Sequence, residues 1–373
     1  MSRYAPKYAR NLVWFDSPEN DTVTKKESLA ETSLSMKPVP APPANELMNV
    51  TATDTIASFP HLFAIVTPIN VDTFELFLHD HPNRSLVTSV CRSLREGFWP
   101  WASTASRNYP TTYDNAEGYR TLTDPVHIAF TREQCATEVA AGQFSSSFGP
   151  NLLPGMYSVP MWVVPKPHSN GLRLVVDHSA SEFSLNSIIP KDERSVHLDG
   201  LQQLGEALIS ARERHGDRPL VVWKSDVSHT YRILPMHPLW QIKQTVVLDN
   251  DRRVDFDNNF GGGGSGCIWS VFFALVLWIA MFVKFILDLF AYLLCLWDRL
   301  GIPHERKKQE WGVSLVIIGL LVDTRSMSIT MPDQSCLDLI TALHAFAIPG
   351  QRRPLLEFQR LGGWVNWALN VYP

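Results

Sequence analysis

Residues Cys267–Val283 form a run of 17 without a single charge. Beyond Lys284, the apolar character resumes from Phe285 to Trp297, with Asp288 as the one ionisable interruption. Such a stretch must be hidden from water, and two kinds of chain hide it. A membrane span needs roughly 20 apolar residues, so the uncharged run stands at the short edge. Lys284 and Asp288, spaced i, i+4 in the middle of the stretch, would be costly in lipid unless paired or facing a cavity. The other solution is a helix at the centre of a folded domain, apolar all round because neighbours cover every face. The run alone leaves both open: a membrane protein anchored by 267–297, or a domain built around a buried helix.

The rest of the chain can supply those neighbours. It has 373 residues, 45% of them hydrophobic, with 12 Trp, enough for two or three compact units. The formal charge of −4 advertises no global basic field for nucleic acid, though a local basic groove is compatible with it. Cys91, Cys135, Cys267, Cys295 and Cys336 are scattered, with no C-x-x-C pair. That argues against a disulfide framework or a zinc site and fits a reducing compartment. Met1–Ser17 has no apolar core of a secretory signal, so an intracellular setting, cytoplasmic or nuclear, is expected. Residues 1–57 are polar, with Pro38, Pro40, Pro42 and Pro43 close together, and read as a disordered tail.

Order is expected to begin near Phe59. Leu62–Val66 reads as a short strand, Asp72–Leu78 as a helix stopped at His79-Asp80-His81-Pro82, and Ser85–Glu96 as an amphipathic helix. His79 and His81, two apart, are a weak metal pair with nothing nearby to complete a ligand set. Thr131-x-x-Gln134 resembles a capping box that would open a helix to Ala141. Two extended segments follow, Tyr157–Lys166 and Leu172–Asp177, joined through Ser169-Asn170-Gly171, a hairpin signal. The hairpin places Lys166 and Arg173 near one end. Two cations so placed can hold phosphates; the ordinary alternative is solubility at a sheet edge. Leu198–Glu213 reads as a helix. Thr245–Leu248 and Arg253–Phe256 flank Asp249-Asn250-Asp251 as a second hairpin. Leu315–Val322 and Ser328–Met331 read as two strands, and Cys336–Phe346 and Pro354–Leu369 as helices.

Between these lies Leu220-Val221-Val222-Trp223-Lys224-Ser225-Asp226, a buried-strand pattern ending in a carboxylate. A carboxylate at a strand end can hold a divalent metal and still reach substrate. Taken alone, such an Asp is more often a turn former or helix cap.

In this order the motifs resemble those of a retroelement reverse transcriptase, of the kind found in fungal genomes, some of them related to the tyrosine-recombinase class. The residues that carry the resemblance are Val164-Pro165-Lys166, Gly171-Leu172-Arg173, Val176-Asp177, Leu185-Asn186, Asp226 with Tyr231 five residues on, and Phe260-Gly261-Gly262-Gly263-Gly264-Ser265. It spans roughly residues 60 to 373. It implies an α+β right-hand polymerase fold: a tail over 1–57, an N-terminal extension and start of the fingers over 58–145, fingers over 146–219, an incomplete palm over 220–332, and a partial thumb or connection from 333 to 373. It implies that Lys166 and Arg173 meet the phosphates of an incoming dNTP and that Asp226 binds catalytic Mg2+. Tyr231 would lie under the sugar and exclude a 2′-hydroxyl, with Phe260 and Gly261 lining the same substrate site. An RNA or DNA template-primer would be the partner; no protein partner is implied.

The family's second catalytic motif, Tyr-x-Asp-Asp on a hairpin, is missing. The sequence passes from Leu289-Phe290-Ala291-Tyr292 directly to Leu293-Leu294-Cys295-Leu296-Trp297-Asp298, as if the intervening segment had been deleted or spliced out. Asp288 precedes Tyr292 and is no replacement. The expectation is therefore a palm hairpin left incomplete, a polymerase by ancestry without activity, and a Gly301 to Lys308 stretch resembling the next palm element. A non-enzymatic nucleic-acid-binding protein is the alternative. The resemblance also gives the apolar run a soluble explanation, as the palm helix under the active site.

Overall fold

The computed structural model describes residues 33–104, 108–115, 123–166, 171–194, 200–282 and 289–372. It is a mixture of helices and small antiparallel sheets, organised as two compact units. Among the described residues, one unit comprises 33–194 and 227–303, and the other 200–226 and 304–372.

The larger unit is built around the apolar run. Helices α1 (Ala44–Leu47), α2 (Val50–Ser58), α3 (Val71–Phe77), α4 (Arg84–Glu96) and α5 (Pro125–Ala140) precede hairpin β1 (Met161–Pro165) and β2 (Leu172–Val176). The short helix Pro238–Gln241 and the hairpin Thr245–Leu248/Asp251–Val254 follow in this unit, and then the two apolar helices Ser265–Phe282 and Leu289–Leu300. In Ser265–Phe282, Ile268, Phe272, Leu275, Val276 and Ile279 are wholly buried, as are Trp269 and Phe273 on other faces. Phe74 of α3 stacks on Phe272 at 5.5 Å, and His81 meets Trp278 edge-on at 4.8 Å. The run is thus covered by protein, the second of the two solutions open to it. No helix among the described residues is long and apolar enough to cross a membrane. Lys284 and Asp288 lie outside the described residues.

Several local expectations need correction. Residues 33–57, part of the expected disordered tail, carry α1 and most of α2 and pack closely. Val39 is buried and its N–H donates to Ser89 Oγ (3.0 Å). Glu46 meets Lys243 in a buried ion pair at 3.3 Å. A low apolar content was misleading because a few residues, Val39, Ala52 and Glu46, make the contacts that matter. Residues 1–32 of that tail lie outside the described residues. Leu62–Val66 is not a strand but a 3-10 turn, Pro60–Leu62, followed by irregular chain. The helix expected from Thr131 starts at Pro125, with Asp124 accepting the Val126 N–H. The Thr131 hydroxyl instead donates to the His127 carbonyl inside the helix (2.8 Å), so no capping box forms there. In the second hairpin, Asp249 and Asn250 both take positive φ. Two such residues make the tight two-residue turn and shift the return strand to begin at Asp251.

The smaller unit pairs helix α6 (Leu201–His215) with strand β3 (Val222–Lys224), which runs antiparallel to Glu310–Gly312. A three-stranded meander follows: Ser314–Ile317, Leu320–Asp323 and Ser328–Thr330. The apolar stretch Leu315–Val322 is therefore two strands rather than one. It folds back at Ile318 and Gly319, both at positive φ. Leu204 and Leu208 of α6 bury against Val222, Ile317 and Val322. Helices Asp333–Phe346 and Leu355–Ala368 cover the opposite end through Leu339, Trp364 and Trp367.

Candidate functional site

The expected site residues divide between the units: Lys166, Arg173, Tyr231, Phe260 and Gly261 belong to the larger, Asp226 to the smaller. In the larger unit, β1 and β2 pair with Val164 opposite Arg173 and Pro165 opposite Leu172, and the Lys166 N–H donates to the Gly171 carbonyl (2.7 Å). Side chains alternate along a strand. Val164 and Lys166 therefore share a face, and Arg173, across from Val164, lies on it too. The other face carries Met161, Val163 and Val176, all buried. Patterning thus forces both cations to the side away from the core, diagonal to one another. Among the described residues neither has an ion-pair partner. The expected turn residues Ser169 and Asn170 lie outside the described residues.

The glycine-rich segment docks on the end of β2. The Gly262 N–H and the Ser265 hydroxyl both donate to the Asn259 carbonyl (3.0 and 2.5 Å), and the Gly261 N–H donates to Asn259 Oδ1 (2.9 Å). Asn186 then ties this turn to the hairpin. Its amide donates to the Gly261 carbonyl (2.9 Å) and to Ser179 Oγ (2.7 Å), and its Oδ1 accepts the Gly263 N–H (2.5 Å). Gly261 is required by close approach. A Cβ there would fall inside van der Waals contact with the Val176 carbonyl oxygen and 3.4 Å from the His178 nitrogen. Asn186 stood in the sequence pattern without a role; its three bonds to distant backbone and side chain could not be read from spacing.

Tyr231 is presented by a 3-10 turn, Thr230–Ile233, entered through His229 at φ 55°. Its ring lies 4.8 Å from that of Phe260 and 6.2 Å from that of Trp269. Burial pushes the Tyr231 phenol above its ordinary range. Phe260, by contrast, is 65% exposed, a large apolar face turned to solvent beside the turn. Arg232 points inward and pairs with Asp255 (2.5 Å) and Glu138 (3.0 Å). This buried network was missed from sequence. Its signal was Asp255-x-Asp257-x-Asn259, polar residues two apart at the end of a strand, where alternation puts both acids on one side.

In the smaller unit Asp226 follows β3 by two residues, as expected of a carboxylate at a strand end. Its Oδ2 lies 3.3 Å from Lys308 Nζ, and Lys308 also meets Glu305 at 3.1 Å. The hydrogen bond from Lys308 holds the Glu305 carboxyl below its usual range, and chiefly that same bond raises the Lys308 ammonium. Gln309 Nε2 donates to the Asp226 carbonyl (3.2 Å). This donor set does not fit Mg2+. Asp226 and Glu305 share an ammonium where a dication would stand, and no group of three His, Cys, Asp or Glu suited to a metal occurs among the described residues. His79 and His81 form no pair either. His79 contacts Asp80 at the surface, whereas His81 is buried, accepting the Asn83 N–H and meeting Ser33 Oγ.

Residues Leu289–Leu300 form one helix, joining Phe290-Ala291-Tyr292, which resembles the entry to the missing Asp-Asp motif, directly to Leu296-Trp297-Asp298-Arg299-Leu300-Gly301, which resembles the helix after it. Leu293, Leu296, Trp297 and Leu300 are its buried side, and Asp298 is exposed.

No protein-family profile matches the chain, and no curated protein is detectably similar to it in sequence. Among solved structures, it is similar to a foamy viral protease-reverse transcriptase (dRH) in complex with double-stranded DNA. The identity is 12% and the TM-score 0.47, over 98% of this chain and 54% of that one. The foamy viral protease-reverse transcriptase with double-stranded DNA matches at 12% identity and TM-score 0.48, over 80% and 62% of the two chains. The same protein with an RNA/DNA hybrid matches at 12% and 0.49, over 84% and 43%. The chain thus spans about half the length of the first of these structures.

Proposed function

We propose that this chain is a reverse-transcriptase-like, nucleic-acid-binding protein of retroelement descent that lacks polymerase activity. The observation that carries this reading is the contact between two motifs 75 residues apart: Asn186 and Val176 of the hairpin region clasp Gly261 of the glycine turn. The sequence resemblance requires these motifs to be neighbours, and local patterning does not. On the same hairpin, Lys166 and Arg173 share a face and, among the described residues, have no ion-pair partner, the condition for meeting phosphates. In this reading the hairpin belongs to the fingers, β3 and the apolar helices to the palm, and the last two helices to the start of a thumb. In this reading the protein binds an RNA or DNA template-primer inside the cell without extending it.

The absence of activity follows from the acid set. In-line phosphoryl transfer is largely positioning plus charge stabilisation by two metals. Asp226 is a single carboxylate, engaged by Lys308, and the second motif is not encoded. A dNTP can meet Lys166, Arg173 and the Tyr231–Phe260 pair, but Asp226 alone, without the Asp-Asp motif, cannot hold the two metals that aim its α-phosphorus at a primer 3′-hydroxyl.

Purified protein tests this directly. With a primed RNA template, dNTPs and Mg2+ or Mn2+, no extension is expected, while filter binding to duplex DNA and an RNA/DNA hybrid should weaken steeply with salt. Template-dependent incorporation would overturn the claim of inactivity. Absence of salt-sensitive affinity would overturn nucleic-acid binding. Transcripts spanning the codons for Tyr292 and Leu293 provide a further check: an intervening segment encoding Asp-Asp would identify an active parent form.

A further inference from the structure

Three carboxyl groups in the larger unit converge on one guanidinium. Asp255 and Glu138 pair with Arg232, Asp257 acts on it through space, and all four residues are buried or nearly so. Two of the acids are satisfied. Asp255 pairs with Arg232 Nη1, accepts the Asn259 amide (2.9 Å) and receives the Asp257 N–H (3.2 Å). Glu138 pairs with Arg232 Nη2 and accepts the Gln134 amide (2.8 Å). Asp257 differs. It is 0% exposed, and among the described residues neither of its oxygens has a partner at hydrogen-bond geometry. The Gln143 amide beside it donates to the Arg232 carbonyl (3.1 Å) and gives Asp257 only a weak, poorly aligned contact, the smallest of the influences on its carboxyl. Two further titratable groups face the cluster: His178, buried and held neutral, its imidazole lowered to about 3 first by burial and then by Arg232, and Cys135, its thiol raised to about 11 first by burial, with Glu138 and Asp255 adding to that and Arg253 opposing it.

Three ionised carboxylates against one cation would leave two uncompensated charges in the interior. A buried carboxylate without hydrogen bonds takes up a proton rather than bear that cost. Asp257 is the acid with the least to lose by doing so. Burial, reinforced by Asp255 and Glu138 against the attraction of Arg232, moves its carboxyl well above the usual range.

We propose that Asp257 is a proton-holding positioning residue for the glycine turn, neutral in the folded protein at pH 7, and that its ionisation loosens the turn carrying Phe260 and Gly261. The route is short. Asp257 precedes Asn258 and Asn259, and Asn259 binds the acid cluster with its amide while its Oδ1 and carbonyl hold the Gly261 and Gly262 N–H groups and the Ser265 hydroxyl. Charge repulsion between Asp257 and Asp255 therefore acts on the residue that shapes the turn. The protonation itself is independent of the nucleic-acid reading; a consequence for ligand binding rests on that reading.

The test is the pH dependence of folding in the full chain and in Asp257→Asn, which keeps the shape and cannot ionise. An unfolded Asp releases its proton near pH ~4, so above that pH the folded protein holds one proton more and loses stability as pH rises. Between about pH 5 and 8, the wild-type unfolding constant from urea titrations should rise relative to that of Asp257→Asn by about tenfold per pH unit, until the folded carboxyl ionises. Hydrogen exchange at the Gly261 and Gly263 amides should lose protection over the same range in wild type but not in the variant. A pH-independent ratio, or equal protection in both proteins, would overturn the proposal. Should Asp257→Asn fail to fold, infrared spectroscopy of the wild type at pH 7 decides: a protonated-carboxyl band supports the proposal, and its absence overturns it. Nucleic-acid binding enters none of these readouts, so the proposal and the functional reading fail separately.

Discussion

Alanine at Gly261 is the sharpest probe of the clasp at the centre of the candidate site. The added Cβ would overlap the carbonyl oxygen of Val176 and lie 3.1 Å from its carbon, and that atom is strand backbone, not the end of a flexible side chain. Relief means moving the turn by about 1 Å, since an unbonded carbon and oxygen rest beyond 3 Å. Three hydrogen bonds stand in the way: Asn186 to the Gly261 carbonyl, the Gly263 N–H to Asn186, and the Gly261 N–H to Asn259. At about 1 kcal/mol net for each, Gly261→Ala should cost about 3 kcal/mol, or about 6–12 °C in Tm for a unit of this size. Helical glycines provide the control. Gly205 and Gly362 have nothing within 4 Å of a built Cβ, so alanine there should gain about 0.5–1 kcal/mol from helix propensity. Thermal melts and urea titrations of the three variants give the comparison. A Gly261→Ala protein as stable as Gly205→Ala would refute the close approach, and with it the observation on which the functional reading stands.

Removing one partner of the buried Glu46–Lys243 pair leaves the other charge stranded, so Glu46→Gln or Lys243→Met should each cost about 3–5 kcal/mol, measured by urea unfolding; replacing both with apolar residues should cost much less. If Lys166 and Arg173 each neutralise one phosphate of a duplex, single Ala substitutions should flatten the slope of log affinity against log salt by about 0.9 each. Unchanged slopes would remove them from the interface. His178 titrates near 6.5 when unfolded and at about 3 when folded. The unfolded state therefore binds the extra proton, and stability should fall as pH drops from about 6.5 toward 3. His178→Gln should lack that part of the acid transition in a pH series of urea melts, and an identical acid limb in both proteins would place the imidazole in water.

Much of the site was readable because simple rules apply to it. The two-residue alternation of Met161–Lys166 and Leu172–Val176 puts Lys166 and Arg173 on the solvent side without any knowledge of the fold. Gly261 stood out as part of a glycine run after an aromatic, although what made Gly necessary, the Val176 carbonyl, was invisible. The acid cluster was not recognised because Glu138, Arg232, Asp255 and Asp257 come from separate stretches, and nothing local distinguishes a buried carboxylate from an exposed one. The mistaken tail had a related cause. Composition averages over a segment, while residues 33–57 are held by a handful of specific contacts, with Asn83 reaching the Ser33, Leu34 and Met36 carbonyls and Arg92 reaching that of Val39.

Some properties of this protein are fixed by covalent order. The apolar run must be buried, the cations of the hairpin must share a face, and no Asp-Asp pair follows Tyr292. None of these depends on packing. Other properties exist only once distant segments meet. Whether the run lies in lipid or protein is decided by Phe74, His81 and their neighbours closing over it. Whether Asp226 is open to a cation is decided by Lys308, which places an ammonium 3.3 Å from the carboxylate. Desolvation and Coulomb energy depend on distance in space rather than along the chain, so charge state and ligand fit at Asp226 and Asp257 are consequences of the folded arrangement.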